Sequence, residues 1–277
     1  MIATAADPAN SPDYWRNRSA GWTEGTPTGR ATDDTFDRAL IEAAGIGPGF
    51  EVLDLAAGTG DPAVTIAPGL GSGGVTALDL TFDMLAVGRD RADNLALGNV
   101  RFVVGDMAAL PFADASFDAV TCRNGLMFPA DRLACVAEAR RVLRPGGRAA
   151  WLVWATIEEN PTFLTVLDGL RRHFNEEFKP RMARHALGRR GILGGLIEQA
   201  GFVAVQETRL SYMRIVRPGD DYFRRAAARA IPHRTGGMSA DDWSRLIASI
   251  EEASAALRHG EEFHIPVVAR LGIGAAP

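Results

Sequence analysis

The sequence predicts an α/β protein built on a doubly wound, mostly parallel β-sheet. Short apolar runs bounded by glycine, which are typical of buried parallel strands, alternate with segments of helical periodicity. The first such run is followed by a glycine-rich loop and a predicted helix start, as in the repeating unit of these sheets. At 277 residues and 47% hydrophobic content, the chain is long and apolar enough to bury this core.

The apolar runs predict a seven-stranded sheet. Its strands are expected at residues 51–55, 75–79, 100–104, 117–121, 148–154, 202–215 and 263–273. Helices are predicted at 33–44, after Asp61, after Thr81, at 131–143, near 196–200 and after Ser239. Asp61 is interpreted as a helix N-cap with Pro62 in the first helical position, where a missing N–H does no harm.

The rhythm of strands and helices divides the chain into four predicted segments. They are an N-terminal aromatic lid or arm at 1–31, a cofactor-binding core at 32–156, a helical lid insertion at 157–200, and 201–277. The last segment is expected to hold the final two strands, with a second helical insertion at 217–260. Residues 1–31 are set apart because they carry Tyr14, Trp15 and Trp22, too much aromatic surface for a plain tail.

Composition excludes several classes of protein. A net charge of −4 disfavours a general nucleic-acid binder. No apolar run reaches the ~20 residues that cross a bilayer, and the N-terminus lacks the order of a secretory signal, so we expect a cytoplasmic protein without stable membrane insertion. Cys122 and Cys135 are expected to be reduced and buried, and no metal site is predicted. A homodimer is left open.

The loop from Ala56 to Asp61, Ala-Ala-Gly-Thr-Gly-Asp, carries the first functional signal. Its glycines let the backbone approach a ligand, and the following helix would offer N–H groups to an anion. Asp79 ends the second strand 19 positions beyond Gly60, where a carboxylate can accept hydrogen bonds from ribose hydroxyls. Both features also fit a dinucleotide site, so an NAD-dependent oxidoreductase is retained as an alternative.

Five blocks of sequence, in order, then point to one family. They are EVLDLAAGTG from Glu51, ALDLTFDML from Ala77, GDM with LPF from Gly105, SFDAV from Ser116 and EARRVLRPGG from Glu138. Together they resemble the class I S-adenosylmethionine-dependent methyltransferases of the type 11 group, which are related to the methyltransferases of quinone biosynthesis. A nicotinamide enzyme has no reason to carry the last three blocks.

The resemblance implies a Rossmann-like fold and S-adenosyl-L-methionine as the cofactor. The cofactor-binding residues that it implies are Asp54, Ala56, Gly58, Gly60, Asp79, Leu80, Met84, Asp106, Met107 and Arg123. By the same resemblance, Asp54 and the two glycines surround the methionine part, and Asp79 binds the ribose. Leu80 and Met84 flank the adenine, whose edge is read by Asp106 and the Met107 amide. Met84 is equally well explained as core filler.

The acceptor is expected to be a small organic molecule. The run Arg123-Asn124-Gly125-Leu126 is not the Asn-Pro-Pro type of motif that many amine methyltransferases carry after the fourth strand, which favours oxygen or carbon over nitrogen. Candidate acceptor-site residues are Trp15, Trp22, Asn124 and Phe128. Should a base be needed, the candidates are His173, His185, His233 and His264, each of which also has an ordinary structural interpretation.

Positive charge is concentrated in the two predicted insertions of this acidic chain. The first stretch holds Arg171, Arg172, Lys179, Arg181, Arg184, Arg189 and Arg190, and the second holds Arg214, Arg217, Arg224, Arg225, Arg229 and Arg234. A basic lid would attract an anionic or quinol-like acceptor, although a solvated helix face explains the pattern equally well. A non-catalytic protein that only binds S-adenosylmethionine is a further alternative.

Overall fold

The computed structural model describes residues 12–17 and 35–277, and in this part of the chain eight strands form one sheet. The strands are β1 (Glu51–Leu55), β2 (Gly74–Asp79), β3 (Val100–Val104), β4 (Phe117–Arg123), β5 (Leu143–Trp154), β6 (Val203–Val216), β7 (Arg258–His259) and β8 (Glu262–Ala275). Seven of them follow the order β3-β2-β1-β4-β5-β8-β6, and the two-residue β7 pairs with β8.

The first five strands of the sheet are parallel. β1 pairs in parallel with β2 and β4, and the outer neighbours β3 and β5 continue the same direction. β8 runs antiparallel between β5 and β6. The predicted α/β fold with a mostly parallel, doubly wound sheet is therefore confirmed, and the carboxyl ends of β1 to β5 meet at one edge.

Ten α-helices surround this sheet in the described part of the chain. They are α1 (Pro12–Arg16), α2 (Thr35–Ala44), α3 (Ala63–Ile66), α4 (Phe82–Asn94), α5 (Arg132–Val142), α6 (Thr162–Phe174), α7 (Ile192–Gln199), α8 (Tyr222–Ala230), α9 (Pro232–Thr235) and α10 (Ala240–Ala253). None of these helices is both long and apolar enough to cross a bilayer.

Alternation along the strands separates two apolar cores, one on each face of the sheet. In β5, Ala150 and Leu152 face the core that α2, α3 and α4 cover. Trp151 and Val153 point the other way, into the core covered by α5 and α7. This period of two is what a strand buried on both faces requires.

α6 and α10 pack against each other beside the sheet edge. Gly169 makes this possible, because a Cβ at that position would lie 2.5 Å from the Cα of Ile250. The Ser249 hydroxyl of α10 donates a hydrogen bond to the Gly169 carbonyl of α6 at 3.0 Å, which links the two helices at the same point. α10 begins as predicted, with the Ser239 side chain accepting from the Asp242 amide.

The predicted start of the helix after the glycine loop is wrong. α3 is four residues long, Pro62 is its N-cap, and no side chain caps it. A helix this short provides no extended N-terminus for an anion. The Asp61 carboxylate turns instead to Arg91 of α4, at 2.9 Å, because a buried guanidinium binds it more strongly than a backbone amide would.

Arg91 ties the glycine loop to α4. Its side chain is 2% exposed and also donates to the Thr59 carbonyl at 2.6 Å. Gly60 and Gly88 let the two segments approach this closely, since a Cβ on Gly60 would lie 3.2 Å from the Gly88 Cα. Removing one partner of a buried ion pair lowers stability strongly, because the other charge is then buried without a partner.

We therefore expect Arg91→Met to lower the free energy of unfolding by about 3 kcal/mol, the cost of leaving one partner of a buried pair alone. Urea-induced unfolding measures the loss. Arg89→Met, on the exposed face of the same helix, is the matched control and should change stability little. Equal stability of the two variants would show that the Arg91 pair does not hold the loop.

Candidate functional site

A cavity of about 740 Å³ opens at the carboxyl ends of the parallel strands. Residues at the ends of all five strands line it: Ala56, Asp79, Gly105, Arg123 and Trp154. Side chains of α6, α8, β6 and β8 form the opposite wall. The volume lies within the range of ~300–1,000 Å³ that is usual for small-molecule sites, and the position is where open α/β sheets bind ligands.

Asp79 joins two strand ends at the cavity wall. One carboxylate oxygen accepts a hydrogen bond from the Gly58 amide at 2.9 Å, and the other accepts from the amide and hydroxyl of Thr81, each at 3.0 Å. Burial raises the pKa of Asp79, and the hydrogen bonds that it accepts oppose this shift. The oxygen that binds Gly58 accepts only one of these three hydrogen bonds, so its second lone pair can still accept from a ligand hydroxyl.

The residues predicted around an adenine ring lie together. Leu80, Met84, Asp106 and Met107 all line the cavity, and Met84 is 6% exposed. One oxygen of Asp106 accepts from the Ala108 amide at 2.8 Å, which orients an otherwise exposed carboxylate. Apolar faces with a carboxylate at the edge suit a base that carries an exocyclic amine. The apolar side chains and the acceptor carboxylate present here thus fit the cofactor implied by the sequence.

Two of the predicted cofactor residues lie outside the cavity wall. Asp54 is fully buried in β1 and accepts a hydrogen bond from the Thr121 hydroxyl at 2.9 Å. Burial raises its pKa well above the usual range. Gly60 packs against Gly88 of α4 and does not line the cavity. Neither residue lines the cavity, so the contact with a cofactor that the resemblance implies for them stays a prediction.

The backbone is strained where β1 and β4 end at the cavity. Ala56 and Asn124 adopt φ angles of 54° and 56°, a left-handed conformation that costs a side-chain-bearing residue about 1–3 kcal/mol. Gly125 follows, and a Cβ there would lie 2.3 Å from the Cβ of Ala56. The two strand ends are thus in contact and form the floor between the two sides of the cavity.

Aromatic side chains cover one edge of the opening. Trp15 of α1 and Phe128 both line the cavity, with their ring centroids 4.9 Å apart and their rings edge to face. The Arg181 guanidinium lies 4.8 Å from the ring centroid of Tyr14, which links α1 to the residues after α6. Of the predicted acceptor-site residues, Trp15, Asn124 and Phe128 meet at the cavity. Trp22 lies outside the described residues.

Among the four candidate histidines, His185 lines the cavity. Its Nδ1 lies 2.6 Å from the Ala155 carbonyl oxygen, so Nδ1 carries the proton and Nε2 is left as the acceptor. Burial lowers the pKa of His185 and favours this neutral form. His173, His233 and His264 lie away from the cavity, on surfaces around α6, α9 and β8.

The structure also sorts the basic residues of the two insertions. Those that line the cavity are Lys179, Arg181, Arg184, Arg214, Arg225 and Arg229. Arg171 and Arg172 form ion pairs with Asp168 and Glu252, and Arg224 lies 4.3 Å from the Trp243 ring centroid. The expectation of a basic lid therefore holds for part of each stretch, while the rest follows the alternative of an ordinary helix surface.

Arg123 is held in place by a carboxylate that the sequence analysis did not identify. Asp37 of α2 is 0% exposed, lies 3.0 Å from Arg123 and accepts a hydrogen bond from Thr65 at 3.1 Å. The available signal was a charged residue beside Phe36 and Leu40 on the apolar face of a helix. Tyr212 and Tyr222, which also line the cavity, were missed because isolated tyrosines carry no motif.

Comparison with known proteins confirms the resemblance seen in the five blocks. Residues 52–147 match the methyltransferase domain family. The ubiquinone/menaquinone biosynthesis C-methyltransferase UbiE of Shewanella halifaxensis is 44% identical over 115 residues, which cover 41% of this chain and 46% of the relative. The demethylmenaquinone methyltransferase of Mycobacterium sp. strain JLS is 42% identical over 153 residues, or 55% and 60% of the two chains.

The matched region is thus about half the length of these curated relatives. A similarity of fold extends further, because the crystal structure of the cyclase SpnF covers 97% of this chain and 97% of its own, with a TM-score of 0.56 and 20% identity. At that identity the likeness concerns the fold alone.

The lowered pKa of His185 predicts how stability depends on pH. Below about pH 6.5 the unfolded chain binds a proton at this residue while the folded chain does not, so stability falls as the pH drops. Between about pH 7 and 5.5, the wild type should lose up to ~1 kcal/mol more than His185→Gln. The measurement is urea-induced unfolding across this range, and His233→Gln, at an exposed position, should keep the wild-type slope.

Proposed function

We propose that this chain, whose residues 52–147 belong to the methyltransferase domain family, is an enzyme that transfers a methyl group from S-adenosylmethionine to a small organic acceptor. The observation that carries the proposal is the Asp79 carboxylate, which lines the cavity and binds the Gly58 amide. It stands beside an apolar pocket that ends in Asp106, an arrangement suited to a ribose and its base.

In this proposal the cofactor occupies the side of the cavity formed by β1, β2 and β3. Asp79 accepts from the ribose hydroxyls, Leu80 and Met84 enclose the adenine, and Asp106 accepts from its amine. Backbone groups from Ala56 to Gly58 surround the methionine part. When bound, S-adenosylmethionine supplies an electrophilic methyl group on a positively charged sulfur. The chain's own task is to align the acceptor and exclude water, and orientation alone is worth ~7–11 kcal/mol in such reactions.

The proposed acceptor is a flat, quinol-like molecule that is methylated at carbon or oxygen. Its supporting wall is aromatic: the Phe163 ring lies 5.1 Å from Trp154 and 5.1 Å from His185, and Phe36 lies 6.1 Å from Trp154. The names of the two curated relatives also refer to quinones, namely ubiquinone/menaquinone biosynthesis and demethylmenaquinone, and these relatives match this chain over part of their length. An aromatic wall of this kind favours a ring over a flexible amine.

His185 is the residue we propose to receive a proton from the acceptor. Its Nδ1–H bond to the Ala155 carbonyl leaves Nε2 available as the basic nitrogen, and burial keeps the ring neutral near pH 7. A ring carbon or hydroxyl that attacks the methyl group must lose a proton, and His185 lines the same cavity as the proposed acceptor.

Residues 12–17, the described part of the predicted N-terminal arm, are proposed to cover one edge of the loaded cavity. Support comes from α1, in which Trp15 contacts Phe128 and Arg16 lies 3.7 Å from Asp83, next to the proposed adenine pocket. We further propose a cytoplasmic location, and a homodimer stays a prediction that light scattering would test.

Binding of S-adenosylhomocysteine tests the cofactor assignment. In Asp79→Asn an amide NH₂ replaces one carboxylate oxygen and faces the N–H and O–H donors that this oxygen now accepts from. We therefore expect the affinity for S-adenosylhomocysteine to fall roughly tenfold to a hundredfold, or ~1.5–3 kcal/mol. Calorimetry measures this, with unfolding curves to verify that the variant is folded. Asp90→Asn, on the exposed surface of α4, is the control and should bind normally. Binding of NAD in place of S-adenosylhomocysteine would instead favour the oxidoreductase alternative.

Turnover tests the reaction. Protein supplied with methyl-labelled S-adenosylmethionine and a reduced naphthoquinone that lacks the ring methyl group should release S-adenosylhomocysteine and a labelled product. The position of the label, found by NMR, separates carbon from oxygen methylation, and Asp79→Asn should be nearly inactive. Tight cofactor binding without a labelled product from quinols, phenols or a cell extract would favour the non-catalytic alternative.

A further inference from the structure

The charges on the cavity wall are segregated. Among the described residues that line it, the acidic ones are Asp61, Asp79, Asp106 and Asp131, all in or beside the loops that follow β1, β2 and β3 or begin α5. The basic ones are Arg123, Lys179, Arg181, Arg184, Arg214, Arg225 and Arg229. One side of the cavity therefore suits a cationic ligand and the other an anionic one.

Within the basic side, three arginines come from two neighbouring elements. Arg225 and Arg229 lie four residues apart on α8 and so share one face of that helix, and Arg214 lies on β6. The Arg214 guanidinium is 5.7 Å from the Tyr212 ring centroid and 5.6 Å from that of Tyr222. We call Arg214, Arg225 and Arg229 the arginine cluster.

The arginine cluster brings like charges together. Burial, followed by the nearby Arg225 and Arg123, lowers the pKa of Arg229 to about 10. Asp221 pairs with Arg225 at 3.0 Å, and the Arg214 guanidinium donates to the Tyr212 hydroxyl at 2.8 Å. Like charges four residues apart on a helix are destabilising, so a bound anion would relieve part of this repulsion.

Guanidinium groups select one chemistry of ligand. Their planar fork of donors matches the paired oxygens of a carboxylate or phosphate better than it matches any neutral group. Aromatic side chains stand beside the cluster, because Tyr212 contacts Phe36 with ring centroids 5.3 Å apart, and Phe36 in turn contacts Trp154. A ligand on this wall would lie with a flat apolar body on the aromatic residues and an oxygen on the arginines.

We infer that the arginine cluster is an oxyanion subsite, which holds an acidic oxygen of an otherwise apolar, aromatic acceptor. The inference deepens the proposed function and rests on it for the role of the ligand as acceptor. The subsite lies across the cavity floor from Asp79, so the anchored oxygen and the cofactor side face each other. Residues of the cluster are then positioning residues that set the orientation of the acceptor.

Binding of matched aromatic probes tests this subsite. Calorimetry on the full chain saturated with S-adenosylhomocysteine compares 2-naphthoate, 2-naphthyl phosphate and the uncharged 2-naphthamide. We expect at least one anion to bind about tenfold or more tightly than the amide, and its affinity to weaken as salt is raised. The two anions separate a carboxylate from a phosphate as the preferred oxyanion.

Variants assign the preference to the cluster. Arg225→Gln and Arg229→Gln should each remove most of the difference between anion and amide, while S-adenosylhomocysteine affinity stays within about twofold. Neither variant buries a new charge, and each reduces repulsion on α8, so both are expected to fold. Arg224→Gln is the matched control, because it neutralises the adjacent arginine that stacks on Trp243, and it should keep the full preference.

Two results would overturn the inference. One is equal binding of naphthamide and both anions. The other is a loss of S-adenosylhomocysteine affinity in Arg229→Gln that matches the loss of anion affinity, which would assign the cluster to the carboxylate of the cofactor. Failure of the proposed function looks different, because NAD would then bind in place of S-adenosylhomocysteine, and the probes, added to the chain saturated with NAD, would still report the charge preference.

Discussion

The cavity depends on one carboxylate at the end of β2. Asp79 binds the Gly58 amide with one oxygen and Thr81 with the other, so a single side chain holds the glycine loop of β1 and the start of α4 at a common point. Its burial makes ionisation costly and raises its pKa, and the three donors around it offset part of that cost. The position of the loop, and with it the shape of the cofactor side, follows from this balance.

A second anchor acts on the same loop from below. Arg91 binds Asp61 and the Thr59 carbonyl from inside the core, whereas Asp79 acts at the surface of the cavity. The loop is thereby fixed on both sides before any ligand arrives. Rigid placement of backbone N–H groups is how a small-molecule site avoids an ordering cost on binding.

Much of the fold could be predicted from the sequence. β1 and β3 occupy the predicted residues because compact apolar runs between turns allow few other structures, and Ser239 caps α10 because a serine three residues before an acidic one is a local signal. The start of β5 was placed late. β5 begins at Leu143, and its register with β4 shifts between Phe117 and Ala119. The pair Gly146-Gly147 resembles a turn in the sequence and so hides this earlier start.

Interactions between distant residues explain the errors. Asp61 has the local pattern of a helix cap, and its true partner Arg91, 30 positions away, looks like an ordinary helix-surface residue in the sequence. The thirteen basic residues named in the two stretches are equivalent by composition. Those that reach the cavity are chosen by how α6, α8 and α10 pack, a long-range outcome that periodicity alone does not determine.

The contact between Gly125 and Ala56 limits how this site can diversify. With no room for one added carbon between the ends of β1 and β4, the floor of the cavity cannot be reshaped by substitution without moving two strands. Among the described residues with which α6, α8 and β6 line the opposite wall, none is a glycine held by such a contact. Proteins that descend from this chain and use a new acceptor should therefore differ from it in the residues of that wall, and they should keep the residues of the floor.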